Sequence, residues 1–264
     1  MKRKLLIAVA SCLLSAPAIA QPAGEASIGY GLGLPGGSLR DHSSALHSLN
    51  LRAAYLLPKT EGRLSAGLEF STGTYASFTR KQEFVFGNAA PSPFDVTYSS
   101  NVSSLNASVR FEALRIGGIG LWAGVKGGGT KFKSGFTIAD PEDSDGCEPL
   151  ESEKLARDFA LQGGAEAGVN VDLAMFSKSM AKDQILVQFR AGLLRGGAVD
   201  YINVRATEDS RHHNHTSVND GSTPVNVRFV NVGTGIEHQH EVARMHTSPV
   251  NYLDCGVSVV VRLD

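Results

Sequence analysis

The stretch Leu105-Asn-Ala-Ser-Val-Arg-Phe-Glu112 alternates apolar and polar side chains at every step. After a short link that contains Gly117-Gly118, the stretch Ile119-Gly-Leu-Trp-Ala-Gly-Val-Lys126 again places an apolar side chain at every second position. Successive side chains of a β-strand point to opposite faces, so a period of two indicates a strand with one apolar face. These residues therefore predict two strands joined by a short link.

Six further segments of the chain have the same period of two. Most of the eight runs are close to the 9–11 residues with which a tilted strand crosses a bilayer. Beyond the first 20 residues no apolar stretch reaches the roughly 18 residues of a membrane-spanning helix, which excludes such a helix. The six segments are 27–34, 49–57, 64–70, 159–172, 185–193 and 253–263.

The links between the eight predicted strands alternate in length. Short links follow the second, fourth and sixth strands, whereas long polar links follow the first, third, fifth and seventh. The long links include Ser71 to Ser100, the acidic run Asp140 to Asp145, and about fifty residues from Asp200 onward. Short turns on one rim and long loops on the other are typical of an outer-membrane barrel with both termini on the periplasmic side.

In this pattern of strands and links, the chain resembles the small bacterial outer-membrane β-barrel proteins of the OmpA/OmpX type. The resemblance implies an all-β fold: an eight-stranded antiparallel transmembrane barrel, monomeric and in contact with outer-membrane lipid. The alternative is a secreted soluble β-sandwich, whose strands alternate in the same way with the apolar side inward. Glycine on the polar faces favours the barrel, because a narrow barrel needs small inward side chains for its walls to close.

The first 20 residues predict a cleaved export signal, with basic residues at its start and Ala18-Ile19-Ala20 before the cut. Residues 21–264 are then a single barrel domain, and the formal net charge falls from -1 to about -4 because three basic residues leave. That charge argues against a nucleic-acid partner, which needs a concentrated basic face. A second possibility is a lipoprotein signal at Val9-Ala-Ser-Cys12, with Cys12 lipidated.

Two cysteines, Cys147 and Cys255, remain in the mature chain. In an oxidising compartment they can form a disulfide, although the sequence does not give the distance between them. Neither has the neighbours of a metal ribbon or of a Cys-x-x-Cys motif. Pairing and two free thiols both stay open.

Charged residues collect on the polar faces of the predicted strands. Inside a barrel they form either a near-neutral network of ion pairs that plugs the lumen or the lining of a small-solute pore. We expect the plug, because eight strands enclose room for side chains and little more, and unpaired charges there are costly. The ten residues are Arg52, Glu69, Arg110, Glu112, Lys126, Glu166, Asp172, Arg190, Asp254 and Arg262.

Histidine concentrates near the end of the chain. Two His-x-His pairs would each place both imidazoles on one face of an extended strand, a geometry that suits Zn²⁺ or Cu²⁺. Val225 to Val232 alternates before Gly233-Thr-Gly235, so part of this segment predicts a hairpin. A polar external loop without metal is the alternative, and no cofactor is expected. The histidines are His212, His213, His215, His238, His240 and His246.

One last motif, His246-Thr-Ser248, resembles the His-x-Ser spacing of outer-membrane lipid A deacylases. A Ser–His pair can activate the hydroxyl as a nucleophile, so a lipid-modifying enzyme is an alternative function. The favoured prediction is non-enzymatic: a structural or surface-binding role, including adhesion, in which long external loops meet an extracellular ligand or partner.

Overall fold

The computed structural model describes residues 24–60, 62–84, 92–139, 151–177, 182–209, 221–230 and 237–263. Strands dominate this part of the chain. No helix among the described residues is long and apolar enough to cross a membrane. The predicted signal, Cys12 and Cys147 lie outside the described residues.

Nine strands and two short helices make up the described part of the molecule. The helices are α1 (Ser38–His42) and α2 (Val204–Asp209), and single 3-10 turns lie at Pro58–Thr60 and Leu173–Met175. The strands are β1 (Gly24–Pro35), β2 (Leu46–Leu56), β3 (Leu64–Phe84), β4 (Ser92–Ile116), β5 (Ile119–Ala139), β6 (Glu151–Asp172), β7 (Ile185–Ile202), β8 (Thr223–Val230) and β9 (Glu237–Leu263).

Eight of these strands close into an antiparallel ring. Neighbours pair in the order β1 to β7 and then β9. The ring closes where β1 pairs with β9, from Gly24 opposite Leu263 to Pro35 opposite Tyr252. The predicted eight-stranded antiparallel barrel is confirmed. The remaining strand, β8, pairs with β9 outside the ring. This confirms that the predicted hairpin segment pairs as a strand, and its predicted turn at 233–235 lies outside the described residues.

The outer wall of the ring is apolar and its interior is polar. Outward side chains such as Leu68, Leu161 and Val257 are exposed, whereas inward polar side chains such as Asn106 and Gln188 are buried. In water this arrangement would leave a continuous apolar surface exposed around the whole ring, so the wall fits a lipid surround. These strands do not form a soluble sandwich, because their apolar faces point away from one another.

Short turns join the strands at one rim of the ring. Gly117 and Gly118, both with positive φ, form the two-residue turn between β4 and β5. Such turns need left-handed backbone at both positions, which glycine adopts without a steric cost. This rim corresponds to the periplasmic side of the predicted barrel.

At the opposite rim the strands run far beyond the apolar wall, which corrects the predicted loop from Ser71 to Ser100. Most of that segment belongs to β3 and β4, which stay paired up to Phe84 opposite Ser92. The polarity of the two faces of β4 inverts along the strand: the inward side chains change from polar to apolar, and Val96 and Tyr98 are fully buried. Water replaces lipid outside at this height, so polar side chains face outward and apolar ones fill the centre.

The wall splits above the apolar band into two facing sheets, which we name the stalk. Pairing of β2 with β3 ends at His47 opposite Thr74, and pairing of β6 with β7 ends at Gln162 opposite Gly196. The ends of β3 to β6 therefore form one sheet, and those of β7, β9 and β8 form the other. The stalk comprises residues 75–84, 92–104, 130–139, 151–160, 199–209, 221–230 and 237–252.

An apolar core fills the space between the two stalk sheets. Val96 and Phe136 from the first sheet meet Ile202 and Val242 from the second. Closer to the ring, a second cluster packs around Tyr75, Phe132, Tyr201 and Tyr252, and Leu39 of α1 is fully buried in it. The stalk thus has the anatomy of a small β-sandwich standing on the barrel.

Candidate functional site

The structure places the ten charged residues of the polar faces inside the ring. Eight are buried, and the side chains of Asp254 and Arg262 are 17% and 12% exposed. Nine of the ten enter two separate clusters of ion pairs, and Asp172 stands apart. The central cluster contains Glu69, Arg110, Lys126, Glu166, Arg190 and Asp254.

The central cluster is electrically balanced, with three cations and three carboxylates. Some of its ion pairs join neighbouring strands, as Arg110 on β4 with Glu69 on β3. Others cross the lumen between strands that are not neighbours, as from Lys126 on β5 to Asp254 on β9 at 2.8 Å. Arg110 Nε lies 2.7 Å from Glu166. A neutral set of paired charges reduces the free energy cost of burying each one.

Glu69 is the hub of this cluster. Its carboxylate accepts hydrogen bonds from Arg110 Nη2 at 3.0 Å, Lys126 Nζ at 3.0 Å and Arg190 Nη1 at 2.7 Å. The residue is 2% exposed. Three cations converge on one buried carboxylate, so the loss of Glu69 would leave a net positive charge in the centre of the barrel.

A second, periplasmic cluster lies next to the short turns. Arg52 bonds Glu25, and Arg262 lies 3.6 Å from Glu25 and 3.4 Å from Glu112. Arg115 completes this cluster: it pairs with Glu112 and lies 2.9 Å from Asp183. This cluster is again balanced, with three cations and three carboxylates.

Sequence reasoning missed three members of the periplasmic cluster. Glu25 shares the parity of Ser27 and Gly29 on β1, so extending the alternation by one step would have found it. Arg115 and Asp183 lie in or beside the turns, where the alternation of side chains no longer predicts which of them point into the lumen. Asp172 has a different role: its carboxylate accepts hydrogen bonds from the backbone N–H groups of Ala174 and Asp183 in the turn after β6.

Trp122 fills the lumen beside the central cluster. The Arg110 guanidinium lies 4.4 Å from the centre of its ring, a cation–π contact. The indole also lies against Gly168, where an added Cβ would come within 2.6 Å of it. Glycine at this position makes room for the tryptophan in a narrow interior.

Neutral amides extend the network around the charged clusters. Gln188 donates to Asn170 at 2.8 Å and accepts from Arg110 at 2.9 Å, and Gln162 donates to Asn106 at 3.1 Å. Two cavities among the described residues measure about 10 and 30 Å³. That is room for one or two water molecules each. The inward side chains around these cavities are buried, among them Glu69, Asn106 and Arg190, so this part of the lumen is closed.

The His246-Thr-Ser248 motif lies on β9 inside the stalk. Ser248 is 2% exposed, and its hydroxyl oxygen lies 3.0 Å from that of Tyr201. The His246 ring packs against His42 of α1 at a tilt of 33°, with 3.7 Å between ring centres. The serine therefore faces the core between the two stalk sheets, on the opposite side of the wall from lipid.

The other histidines and the cysteines are only partly covered by the structure. His212, His213 and His215 lie outside the described residues, as do the side chains of His238 and His240. In the described part, no group of three or more candidate ligands could hold a metal ion. Cys255 lies on the outer face of β9, opposite Leu32 and Ala191. Cys147 lies outside the described residues, so a disulfide between Cys147 and Cys255 and two free thiols both stay open.

Comparison with known proteins finds solved structures only. Neisserial surface protein A has 10% identity and a TM-score of 0.40, over 91% of this chain and 96% of that one. A major outer membrane protein from Thermus thermophilus has 12% identity and a TM-score of 0.43, over 91% and 99%. Ail, the attachment invasion locus protein of Yersinia pestis, has 10% identity and a TM-score of 0.37, over 92% and 99%. No family model and no curated protein matches the chain.

The resemblance inferred from the sequence holds at the level of fold. The chain has the architecture of a small outer-membrane β-barrel: a ring of eight antiparallel strands, an apolar outer wall and a polar interior. Identities of 8–13% give no correspondence between individual residues.

Proposed function

We propose that this protein is a non-enzymatic, non-conducting barrel of the outer membrane that holds binding loops away from the cell surface. The observation that carries the proposal is the stalk. A barrel that only spanned the membrane would end its strands at the upper edge of the apolar wall. This chain instead continues as a two-sheet body with its own apolar core.

The height of the stalk follows from the geometry of β4. Residues Ser92 to Ser104 lie beyond Leu105, an exposed leucine of the apolar wall. At about 3.3 Å per residue and a tilt of about 45°, thirteen residues raise the chain by about 30 Å. The described ends of β3 and β4, Phe84 and Ser92, lie at about that height above the apolar wall.

The closed lumen supports a role outside the barrel over transport through it. A solute would have to break the central cluster and then pass the apolar core around Tyr75 and Phe132. In planar bilayers we expect the purified protein to give no ion conductance, with the unboiled form migrating as a folded barrel in the same preparation. Stable conductance steps from that preparation would overturn this part of the proposal.

The binding role is tested on bacteria that express the protein. Replacing residues 141–149 or 210–220 by short Gly-Ser linkers should reduce adhesion to immobilised extracellular proteins and polysaccharides without altering the heat-dependent shift on gels. Equal adhesion of both variants and the parent would refute the role of these segments. If loss of the whole protein instead sensitises cells to detergent without changing adhesion, a structural role in the envelope replaces the proposal.

A further inference from the structure

Three cations lie on the outer wall of the barrel at the height where the apolar band ends. They are Lys131 and Lys133 on β5 and Arg157 on β6, and we name them the cationic patch. Lys133 and Arg157 are exposed and Lys131 is half-buried. Phe159 and Leu161, 60% and 72% exposed, lie next to them toward the membrane.

The position of the patch along β5 matches the lipid headgroups. From Ile119 to Gly129 the outward positions of β5 carry only apolar side chains or glycine. These are eleven residues, which is about the length that a tilted strand needs to cross the hydrocarbon layer. Lys131 is the next outward position, so it leaves the wall where phosphate groups of the outer leaflet begin.

The arrangement of the patch is unfavourable without an anion. Lys133 lies directly opposite Arg157 in the register of β5 and β6, and like charges in such a pair repel each other. Among the described residues, no ion pair involves any of the three cations. Asp158 turns its carboxylate to the backbone N–H groups of Phe159 and Asp200 instead.

Hydroxyl and amide groups continue the patch onto the neighbouring strands. Ser103 and Asn101 of β4 lie opposite Lys131 and Lys133. Beyond them Thr72 of β3 bonds Ser103 at 3.1 Å. Such groups hydrogen-bond readily to sugars and to phosphate oxygens. Cations beside hydroxyls, above exposed aromatic and aliphatic side chains, match a lipid whose headgroup carries phosphate.

We infer that the cationic patch binds the phosphorylated headgroup of a lipid in the outer leaflet, with the acyl chains packed along Phe159 and Leu161. This binding site is on the membrane side of the stalk and does not depend on the loops of the proposed function. It predicts that the barrel retains a shell of phosphorylated lipid on the β5–β6 side.

The test titrates the folded protein in uncharged detergent with bisphosphorylated lipid A and with the same lipid after its phosphates are removed. Native mass spectrometry counts the lipid retained. Each cation near an anionic headgroup contributes about fivefold in affinity. We therefore expect K131Q/K133Q/R157Q to lose about a hundredfold in affinity for the phosphorylated lipid, and K133Q alone about fivefold.

The matched control is K59Q, which removes an exposed lysine from the turn between β2 and β3 at the opposite rim. It should retain lipid like the parent. Equal retention of the dephosphorylated lipid, or unchanged affinity of K133Q and the triple variant, would overturn the inference. Displacement of the lipid by an equal concentration of inorganic phosphate would show a free-phosphate site and overturn the assignment to lipid.

Discussion

Removal of the Glu69 carboxylate is the sharpest perturbation of the central cluster. In Glu69→Ala, Arg110, Lys126 and Arg190 would face only two carboxylates instead of three. Removing one partner of a buried ion pair costs about 3–5 kcal/mol, because an uncompensated charge stays buried. We expect the free energy of unfolding of Glu69→Ala to fall by that amount.

The assay is urea-induced unfolding of the protein in lipid vesicles, with the folded fraction read from gel migration of unboiled samples. Asp183→Asn is the control, because Asp183 and its partner Arg115 are 31% and 33% exposed at the rim and exposed pairs contribute about 1 kcal/mol or less. The double variant E69M/K126M restores the balance of charge with apolar side chains. It should be more stable than Glu69→Ala by at least about 1 kcal/mol.

Two results would refute this reasoning. A loss below about 1 kcal/mol in Glu69→Ala would mean that water or a counter-ion compensates the three cations in the lumen. A loss in E69M/K126M that equals the summed losses of E69M and K126M, each measured alone, would mean that Glu69 and Lys126 do not interact energetically, despite the 3.0 Å between them.

Three further outcomes are expected. Gly168→Leu should displace both Trp122, the single tryptophan of the chain, and the Phe189 carbonyl, which a Cβ would approach to 2.2 Å. We expect a shift in tryptophan fluorescence and a cost of at least about 1–3 kcal/mol, whereas Gly163→Ala, with no contact shorter than 3.5 Å, should change neither. Phe132→Ala should remove about 3–5 kcal/mol from the stalk core, making the stalk protease-sensitive while the ring keeps its heat-dependent gel shift; cleavage within the ring would contradict that independence. Burial raises the pKa of Tyr201 to about 12, so its stabilising effect is complete below about pH 10 and is lost as the pH rises toward 12. Burial raises the pKa of Tyr75 and Tyr98 as well. Absorbance at about 295 nm, where tyrosinate absorbs, should therefore show one late-titrating tyrosine fewer in Tyr201→Phe than in the parent.

The membrane part of the fold was predictable because one rule governs every strand in it. Because lipid lies outside and a packed polar lumen inside, apolar and polar side chains alternate along each of the eight strands. A short stretch of this alternation was therefore enough to locate each strand. The partners within the lumen were not predictable. Glu69 meets Arg190 across the barrel, and that distance depends on strand tilt and ring closure rather than on spacing in the sequence.

The stalk was missed although its signal is present. From Phe94 to Val102 the chain still alternates, with Val96 and Tyr98 against Thr97 and Ser99. These outward residues are polar, so the apolar face points inward, opposite to the rule of the membrane part. A bulge between Thr74 and Ala76 shifts the parity of β3 as well. A polar stretch after a membrane strand therefore resembled a loop.

The pairing of β1 with β9 has a consequence for how the molecule folds. This ladder joins the described strands that are furthest apart in sequence, so the entropy of closing nearly the whole chain must be lost before the ring exists. Until then the outer edges of β1 and β7 have no partner and could pair with other chains. Because β9 also runs through the stalk, neither part can be completed early. We therefore expect assembly in one late, cooperative step, with aggregation as the competing reaction before β9 docks.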